Sequence, residues 1–220
     1  MLRVTDLFIQ VDNKSVEESH SGSNPDINLK LSFEVEAGEV LSIMGPSGSG
    51  KSTVLNWLIG ALPDAFVSSG ELYLNDQPLN ALTTQQRKIG ILFQNDMLFP
   101  HLSVGANLAF ALPSNKGDKL ERKLLIEKAL AGAGMKDFYS RDPATLSGGQ
   151  RARVSALQTL LAEPKAVLLD EPFSRLDKDR RQQFRAFVFE RISAFNIPAL
   201  LVTHDEEDIP ENGRVIRLGS

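Results

Sequence analysis

The stretch Gly45 to Thr53 reads GPSGSGKST and directly follows the apolar run Val40 to Met44. Its glycines allow backbone conformations that a Cβ would forbid, so successive N–H groups can point inward at an anion. Lys51 supplies a cation for the β and γ phosphates of a nucleotide, and Ser52 supplies a hydroxyl for Mg²⁺. We therefore predict a strand, a phosphate-binding loop and a helix from Lys51 to about Ile59, with a nucleoside triphosphate as ligand.

A flexible Gly/Ser loop is the alternative interpretation of this stretch. It leaves unexplained why a strand precedes the first glycine and why Lys-Ser follows the last one. The residues predicted to bind the nucleotide phosphates are Gly45, Pro46, Ser47, Gly48, Ser49, Gly50, Lys51, Ser52 and Thr53.

Length and composition limit the classes of protein to consider. With 220 residues, 42% of them hydrophobic, the chain is long enough for one α/β domain or a core with a smaller subdomain. Its net charge is −4, so the chain does not have the excess of basic residues that is typical of a nucleic-acid-binding protein. No apolar run reaches the length of about 18 residues that a spanning helix needs. Because cysteine is absent, disulfides and thiolate metal sites are excluded. We expect a cytosolic protein that contacts a membrane only through another protein.

Hydrophobic periodicity divides the chain into a core and a helical insertion. We predict strands at Leu2–Val11, Leu29–Glu36, Val40–Met44, Gly70–Asn75, Ile89–Phe93, Ala166–Leu169, Ala199–Thr203 and Arg214–Leu218. The polar segment 12–28 is expected to be an exposed connection, and Ile89–Phe93 a strand buried on both faces. One domain results, with a core from residues 1–94 and 162–220 and a helical subdomain from residues 95–161.

Capping signals set the helices. Ser103 is predicted to start a helix that runs to Leu112, and Asp118 with Glu121 to start a second one. A third helix begins at Ser147, and a long one spans about Lys178 to Phe195. The apolar residues expected to share one face of the long helix are Phe184, Phe187, Val188, Ile192 and Phe195.

Four predicted strands each end in a polar residue of catalytic type. Met44 leads into the phosphate loop, and the other three strands lead into Gln94, Asp170-Glu171 and His204. In an open parallel sheet, ligands bind outside the carboxyl ends of the strands. These four strand ends are therefore expected to surround one nucleotide.

Each of the strand-end side chains has a proposed role and a structural alternative. Asp170 is expected to hold Mg²⁺ through water, and Glu171 to polarise the attacking water. Gln94 would contact Mg²⁺ or the water, and His204 the γ-phosphate. The alternatives are two solvated acids, an ordinary strand-terminal glutamine and a structural histidine.

A second glycine-rich stretch, LSGGQ, occupies residues Leu146 to Gln150. Ser147 and Gln150 fit a capping box, which would explain a helix start and nothing more. Gly148 and Gly149, however, each cost a helix up to about 1 kcal/mol relative to alanine. A helix N-terminus with bare backbone and a serine hydroxyl can bind phosphate. Because the helical insertion separates it from the first loop, we predict that it acts on a nucleotide held by a partner molecule.

Together these motifs resemble the ATP-binding subunits of ABC transporters over nearly the whole chain. The matching elements are GPSGSGKST as the Walker A loop, Gln94 as the Q-loop, LSGGQ as the signature, Ala166–Pro172 as the Walker B strand with catalytic Glu171, Ser174–Asp177 as the D-loop and His204 as the switch histidine. The resemblance implies a P-loop NTPase (RecA-like) α/β core with an antiparallel β subdomain and an inserted helical subdomain. It also implies ATP and Mg²⁺ as cofactors, with Ser52, Gln94 and Asp170 at the metal.

The resemblance also implies partners. In this family two subunits dimerise head to tail, so Ser147, Gly148, Gly149 and Gln150 would meet the γ-phosphate held by Lys51 of a second copy. The segment after Gln94 resembles that of importer subunits, where it grips a permease helix. The stretches ILFQ, DPATLSGGQRARV and LDEPFSRLD are similar to relatives of thiamine and iron(III) importer subunits. The resemblance therefore implies a transmembrane permease as a partner and, indirectly, a periplasmic solute-binding protein. It also implies a peripheral position on the cytoplasmic side of the inner membrane.

Three other functions compete with an importer ATPase. An exporter subunit would differ in the permease that it binds. A soluble ABC protein of DNA repair or translation would need a long coiled coil or two cores in one chain, and a small-molecule kinase would leave LSGGQ without a role. Two residues depart from the family. Val11 stands where an aromatic side chain usually stacks on adenine, which predicts weak selection of ATP over GTP, and Gln158 stands where relatives commonly have arginine.

Overall fold

Two β-sheets and six α-helices form the part of the chain described by this computed structural model, residues 1–12, 27–174 and 176–219. The strands are β1 (Leu2–Val11), β2 (Asn28–Val35), β3 (Val40–Met44), β4 (Phe66–Leu74), β5 (Gln77–Pro78), β6 (Ile89–Leu92), β7 (Ala166–Asp170), β8 (Ala199–Thr203) and β9 (Val215–Arg217). The helices are α1 (Lys51–Ile59), α2 (Thr84–Arg87), α3 (Val104–Ala111), α4 (Lys119–Gly132), α5 (Gly148–Leu161) and α6 (Lys178–Phe195).

The second sheet is parallel and carries the predicted strand ends. Its strand order is β6-β7-β8-β3-β9, and β3, β7 and β8 consist almost entirely of buried side chains. Helix α1 packs on one face through Val54 and Leu58, whereas α6 packs on the other face through Phe184 and Val188. Cover on both faces explains why these strands are continuous apolar runs. All five carboxyl ends lie at one edge of the sheet.

The first sheet is antiparallel, in the order β2-β1-β4-β5. Alternate residues of β1, among them Leu2, Val4 and Ile9, are buried in the same hydrophobic cluster as α1. A register shift between Val4 and Leu7 accompanies Asp6, whose φ is +49°. The antiparallel sheet and the phosphate-loop helix thus share one core.

Helices α3, α4 and α5 form a third hydrophobic cluster, which includes Leu108, Ile126, Leu130 and Leu146. Helix α5 also reaches the core, since Ala156 and Leu160 pack in the cluster of the parallel sheet. The helical segment is therefore tied to the sheet through the helix that follows LSGGQ. None of the described helices is long and apolar enough to cross a membrane.

Most predicted elements are confirmed to within one or two residues, including the capping boxes at Asp118 and Ser147. The strand from Ile89 contacts the core on both faces of the sheet, since Ile89 and Ile91 pack against one cluster and Leu92 lies in the other, but it is less buried than expected. β6 is an edge strand of the sheet, three of its four residues are only half-buried, and Phe93 is 40% exposed. An apolar run does not reveal whether a strand has a neighbour on each side.

Smaller differences concern element lengths and one helix face. β4 begins at Phe66, four residues before the predicted start, because it pairs with β1 as far as Val11. Phe195 is 52% exposed and so does not share the buried face of α6. Helix α2 was not predicted. The expected connection 12–28 lies almost wholly outside the described residues.

Candidate functional site

The loop between β3 and α1 is shaped by glycines that the fold requires. Gly48 and Gly50 have φ of +83° and +89°, a region that L side chains rarely adopt. A Cβ on Gly45 would lie 2.6 Å from Ser49 Oγ, and one on Gly50 would lie 2.6 Å from Leu29 Cδ1. The backbone is thus close to its neighbours, and the loop is a concave turn that leads directly into the N-terminus of α1.

Lys51 lies inside this loop. Its side chain is buried, and Nζ donates hydrogen bonds to the backbone oxygens of Gly45 at 2.7 Å and Pro46 at 2.9 Å. Ser52 is exposed at the first turn of α1. No carboxylate of residues 1–12, 27–174 or 176–219 forms an ion pair with Lys51, so the charge of this buried ammonium is available to an anion in the loop.

Asp170 and Glu171 follow one another at the end of β7. Burial raises the pKa of Asp170, the neighbouring Glu171 raises it further, and Lys51 opposes both effects. Glu171 has a φ of +45°, and its N–H donates to Val202 O at 2.9 Å. A positive φ is uncommon in residues other than glycine.

Glu171 meets the histidine at the end of β8. Glu171 Oε1 lies 3.2 Å from His204 Nδ1, and the two side chains are 23% and 60% exposed. The parallel register pairs Asp170 with Val202, which brings the residues after each strand to the same level. In this pair, the Glu171 carboxylate is suited to polarise water and the His204 ring is suited to contact phosphate.

Gln94 is connected to the same place through Ser174. Gln94 Nε2 donates to Ser174 Oγ at 3.1 Å, and Ser174 Oγ donates to the backbone oxygen of Glu171 at 2.9 Å. The amide oxygen of Gln94 therefore keeps its acceptor capacity for a cation. The sequence analysis placed Ser174 in the D-loop only, since nothing in its neighbourhood indicated a link between β6 and β7.

A second group of residues behind His204 was missed. Thr203, Asp208 and Arg181 form a chain of hydrogen bonds and ion pairs next to this histidine. Asp208 is part of an acidic run that reads as a solvated surface, and Arg181 lies 27 residues away on α6. Only the fold brings them together.

The LSGGQ stretch lies at the start of α5. Ser147 Oγ accepts a hydrogen bond from Gln150 N at 3.3 Å, and Gln150 Oε1 accepts one from Ser147 N at 2.9 Å. A Cβ on Gly148 would meet no atom within 4 Å. Within residues 1–12, 27–174 and 176–219, no hydrogen bond or ion pair joins this stretch to the loop Gly45–Thr53.

One family model matches the part of the chain that carries the phosphate loop, Gln94, LSGGQ and Asp170-Glu171. The model described as "ABC transporter" matches residues 29–174, about two thirds of the chain. The chain belongs to the ABC transporter family. It is an ATP-hydrolysing subunit of the ABC type, and its parallel sheet and antiparallel sheet agree with the P-loop NTPase fold that the resemblance implied.

Known relatives extend over nearly the full length of this ABC subunit. It is 51% identical to the "Uncharacterized ABC transporter ATP-binding protein YnjD" of Escherichia coli (strain K12), over 84% of this chain and 85% of the relative. It is 39% identical to the "Probable sulfate/thiosulfate import ATP-binding protein CysA" of Chlorella vulgaris, over 87% and 84% of the two chains.

A solved structure has the same fold. It is a dimer of the ATP-binding cassette MJ0796 in a post-hydrolysis state with ADP and Pi, with a TM-score of 0.78 and 27% identity over 99% of this chain and 94% of the other. These relatives confirm the resemblance to the ATP-binding subunits of ABC importers that was stated from the sequence.

Proposed function

We propose that this ABC subunit binds and hydrolyses Mg²⁺-ATP as a head-to-tail homodimer and so powers a bacterial importer of a small solute. The observation that carries the proposal is the convergence of four parallel strand ends on one edge of the sheet. The phosphate loop, Gln94, Asp170-Glu171 and His204 lie there, and Glu171 is 3.2 Å from His204.

The donor set at this edge fits Mg²⁺. The exposed Ser52 hydroxyl, the Gln94 amide oxygen and the Asp170 carboxylate are oxygen ligands, which Mg²⁺ prefers. Mg²⁺ would neutralise charge on the β and γ phosphates. Its positive charge would also favour ionised Asp170, whose pKa is raised by burial and by Glu171.

The chain's own residues account for the remaining roles. Lys51 would exchange its two carbonyl partners for phosphate oxygens, and the N–H groups of Gly45 to Thr53 would cradle them. Glu171 would orient and polarise the attacking water, while His204 would contact the γ-phosphate and hold Glu171 in place. The φ of +45° at Glu171 is the kind of backbone strain that concentrates at functional sites.

LSGGQ would complete the site of a second copy. Gly148 is exposed and has open space around it, so this chain's own packing does not require a glycine there. Bare backbone at a helix N-terminus suits close approach to a phosphate. Ser147 and Gly149 would therefore contact the γ-phosphate held by the second copy, with Asp177 at the dimer interface. The dimer of the MJ0796 cassette supports this assembly.

An exposed aromatic surface after β6 would bind the permease. Phe93, Met97 and Phe110 are 40%, 62% and 72% exposed, and the Phe99 and Phe110 rings lie 5.1 Å apart, edge to face. The fully buried Asn107 bonds to the backbone N and O of Phe99 at 2.7 and 3.1 Å, which fixes this segment. Exposed apolar side chains grouped in this way are typical of an interaction site.

Import and a bacterial membrane are supported by the relatives. The names of CysA and of the UgpC 2 protein of Agrobacterium fabrum describe import, and the latter is 37% identical over 90% of this chain and 52% of the relative. The bacterial membrane is supported by UgpC 2 and by YnjD of Escherichia coli. We infer the same direction here, with a peripheral position on the cytoplasmic side of the inner membrane. The domain division into residues 1–94 with 162–220 and residues 95–161 is part of the proposal, with α5 as the connection.

Co-purification tests this function. The tagged chain is isolated from detergent-solubilised native membranes, and bound proteins are identified by mass spectrometry. A polytopic permease of importer type is expected, and Phe110→Asp should release it without loss of ATP binding. Recovery of an exporter permease would contradict the direction of transport. Recovery without any membrane protein, from both wild type and variant, would contradict the transport role.

A further inference from the structure

Asp208 is a carboxylate inside the protein, directly behind the end of β8. It is 2% exposed, and it accepts hydrogen bonds from two side chains. Arg181 Nε donates to Asp208 Oδ1 at 2.7 Å, and Thr203 Oγ1 donates to Asp208 Oδ2 at 2.6 Å. A buried carboxylate is tolerated only when it is paired and hydrogen-bonded, so this arrangement has little freedom.

The same residues hold the backbone on both sides of His204. Thr203 Oγ1, which donates to Asp208, also accepts a hydrogen bond from Asp205 N at 3.1 Å. The side chain of Asp205 forms an ion pair with Arg181 Nη1 at 2.7 Å. The residues immediately before and after His204 are thus fastened to one buried cluster.

His204 itself is poorly held by its side chain. Its ring is 60% exposed, and its polar contact is with Glu171 Oε1 at 3.2 Å. With this contact, the position of the ring depends on the backbone of His204, because a shift of that backbone would move the ring away from Glu171. The cluster behind it supplies that fixed backbone.

We propose that Thr203, Asp208 and Arg181 are positioning residues that aim His204 at Glu171 and at the γ-phosphate. This inference rests on the proposed function, in which His204 contacts the nucleotide. Arg181 lies in the first turn of α6, where its N–H donates to Asp177 O at 2.8 Å. This bond connects the cluster that holds His204 to Asp177, which lies at the proposed dimer interface.

A matched pair of variants tests the proposal. Thr203→Val keeps the shape of the side chain but removes the hydroxyl that serves both Asp208 and Asp205 N. We expect kcat for ATP hydrolysis to fall about 10- to 100-fold with KM for ATP nearly unchanged, as for an interaction needed in the transition state. Thr203→Ser keeps the hydroxyl and should restore most of kcat.

A double-mutant cycle with His204→Ala separates positioning from a merely structural role. If Thr203 acts through His204, Thr203→Val should cost nothing further in the His204→Ala background. The same loss of kcat in both backgrounds would overturn the proposal, and so would an unchanged kcat in Thr203→Val alone. Thermal unfolding of each variant checks that the fold is intact.

The cycle also distinguishes the failure of this inference from the failure of the proposed function. Full activity of His204→Ala would remove the role of His204 itself, and the positioning role would fall with it. A large loss in His204→Ala beside an unaffected Thr203→Val would overturn the positioning role alone.

Discussion

The two glycine-rich loops of this chain differ in how far the chain itself explains them. In the loop Gly45–Thr53, Gly48 and Gly50 have positive φ, a Cβ on Gly45 or Gly50 would clash, and Lys51 is held by two carbonyl groups. In the signature loop Leu146–Gln150, a Cβ on Gly148 would meet no atom within 4 Å, and Ser147 and Gln150 form a capping box.

This difference supports the proposal that the phosphate loop is built within the chain, whereas the LSGGQ stretch serves the site of a second copy. A glycine that internal packing requires is explained by the fold. A glycine in the first turn of a helix that costs up to about 1 kcal/mol, with nothing near it, indicates a ligand or partner that approaches from outside.

The largest effect is expected from Glu171→Gln, which leaves both loops intact but removes the carboxylate beside His204. Hydrolysis should fall by about 10² to 10⁴ because the attacking water loses its general base, while ATP stays bound. The trapped nucleotide should hold two chains together, and light scattering with Mg²⁺-ATP should report twice the monomer mass of 24.2 kDa. Unchanged hydrolysis would remove the assignment of Glu171.

Lys51→Ala should weaken the binding of ATP by the loop Gly45–Thr53. Loss of charge-assisted hydrogen bonds to the phosphates, about 1.5 to 3 kcal/mol, lowers ATP affinity roughly 10- to 100-fold. Titration of a fluorescent ATP analogue measures this, and Lys51→Arg serves as a control that keeps the charge. An unaltered affinity in Lys51→Ala would contradict the assignment of the phosphate loop.

Alanine at one glycine of each loop compares them directly. Gly48→Ala should lower the free energy of unfolding by about 1 kcal/mol or more, since its φ is +83°. Gly148→Ala should leave it unchanged or raise it by up to about 1 kcal/mol, because alanine favours the helix and finds open space. Denaturant titration measures both.

Assembly should respond in the opposite way for Gly148. In the Glu171→Gln background, Gly148→Ala should abolish the ATP-dependent dimer although the monomer is no less stable. If the dimer forms as before, bare backbone at Gly148 is not needed by the second copy.

The smallest effect is expected for the free energy of unfolding when Asp205, which directly follows His204, is changed. The Glu207 N–H and the neighbouring Arg181 lower the pKa of Asp205. Its carboxylate therefore stabilises the fold above its unfolded pKa, and this contribution is lost as the pH falls through the folded pKa. Asp205→Asn should lower the free energy of unfolding by up to about 1 kcal/mol at pH 7, with the difference vanishing in acid. A constant difference from pH 7 to 3 would contradict this.

The sequence predicted what local patterns determine. Apolar runs located β3, β7 and β8, and capping boxes located the starts of α4 and α5, since both signals depend on neighbours within a few residues. The partial burial of β6 and the exposure of Phe195 were not predicted, because burial depends on which elements pack nearby.

The candidate site shows the same limit. The residues at the strand ends were predicted from the sequence, but their contacts were not. Ser174 between Gln94 and Glu171, and Asp208 between Arg181 and Thr203, join residues from different strands and helices. No spacing in the chain encodes such pairs.

The one measurement that tests the two-chain site most directly is cross-linking between the two loops. The chain has no cysteine, so single cysteines can be placed cleanly. Chains with Glu171→Gln and Ser47→Cys are mixed with differently tagged chains that carry Glu171→Gln and Ser147→Cys, and a short thiol-specific cross-linker is added. We expect a product that contains both tags, that needs Mg²⁺-ATP and that is absent when either chain is treated alone. No mixed product with ATP, or the same yield without it, would contradict the head-to-tail site.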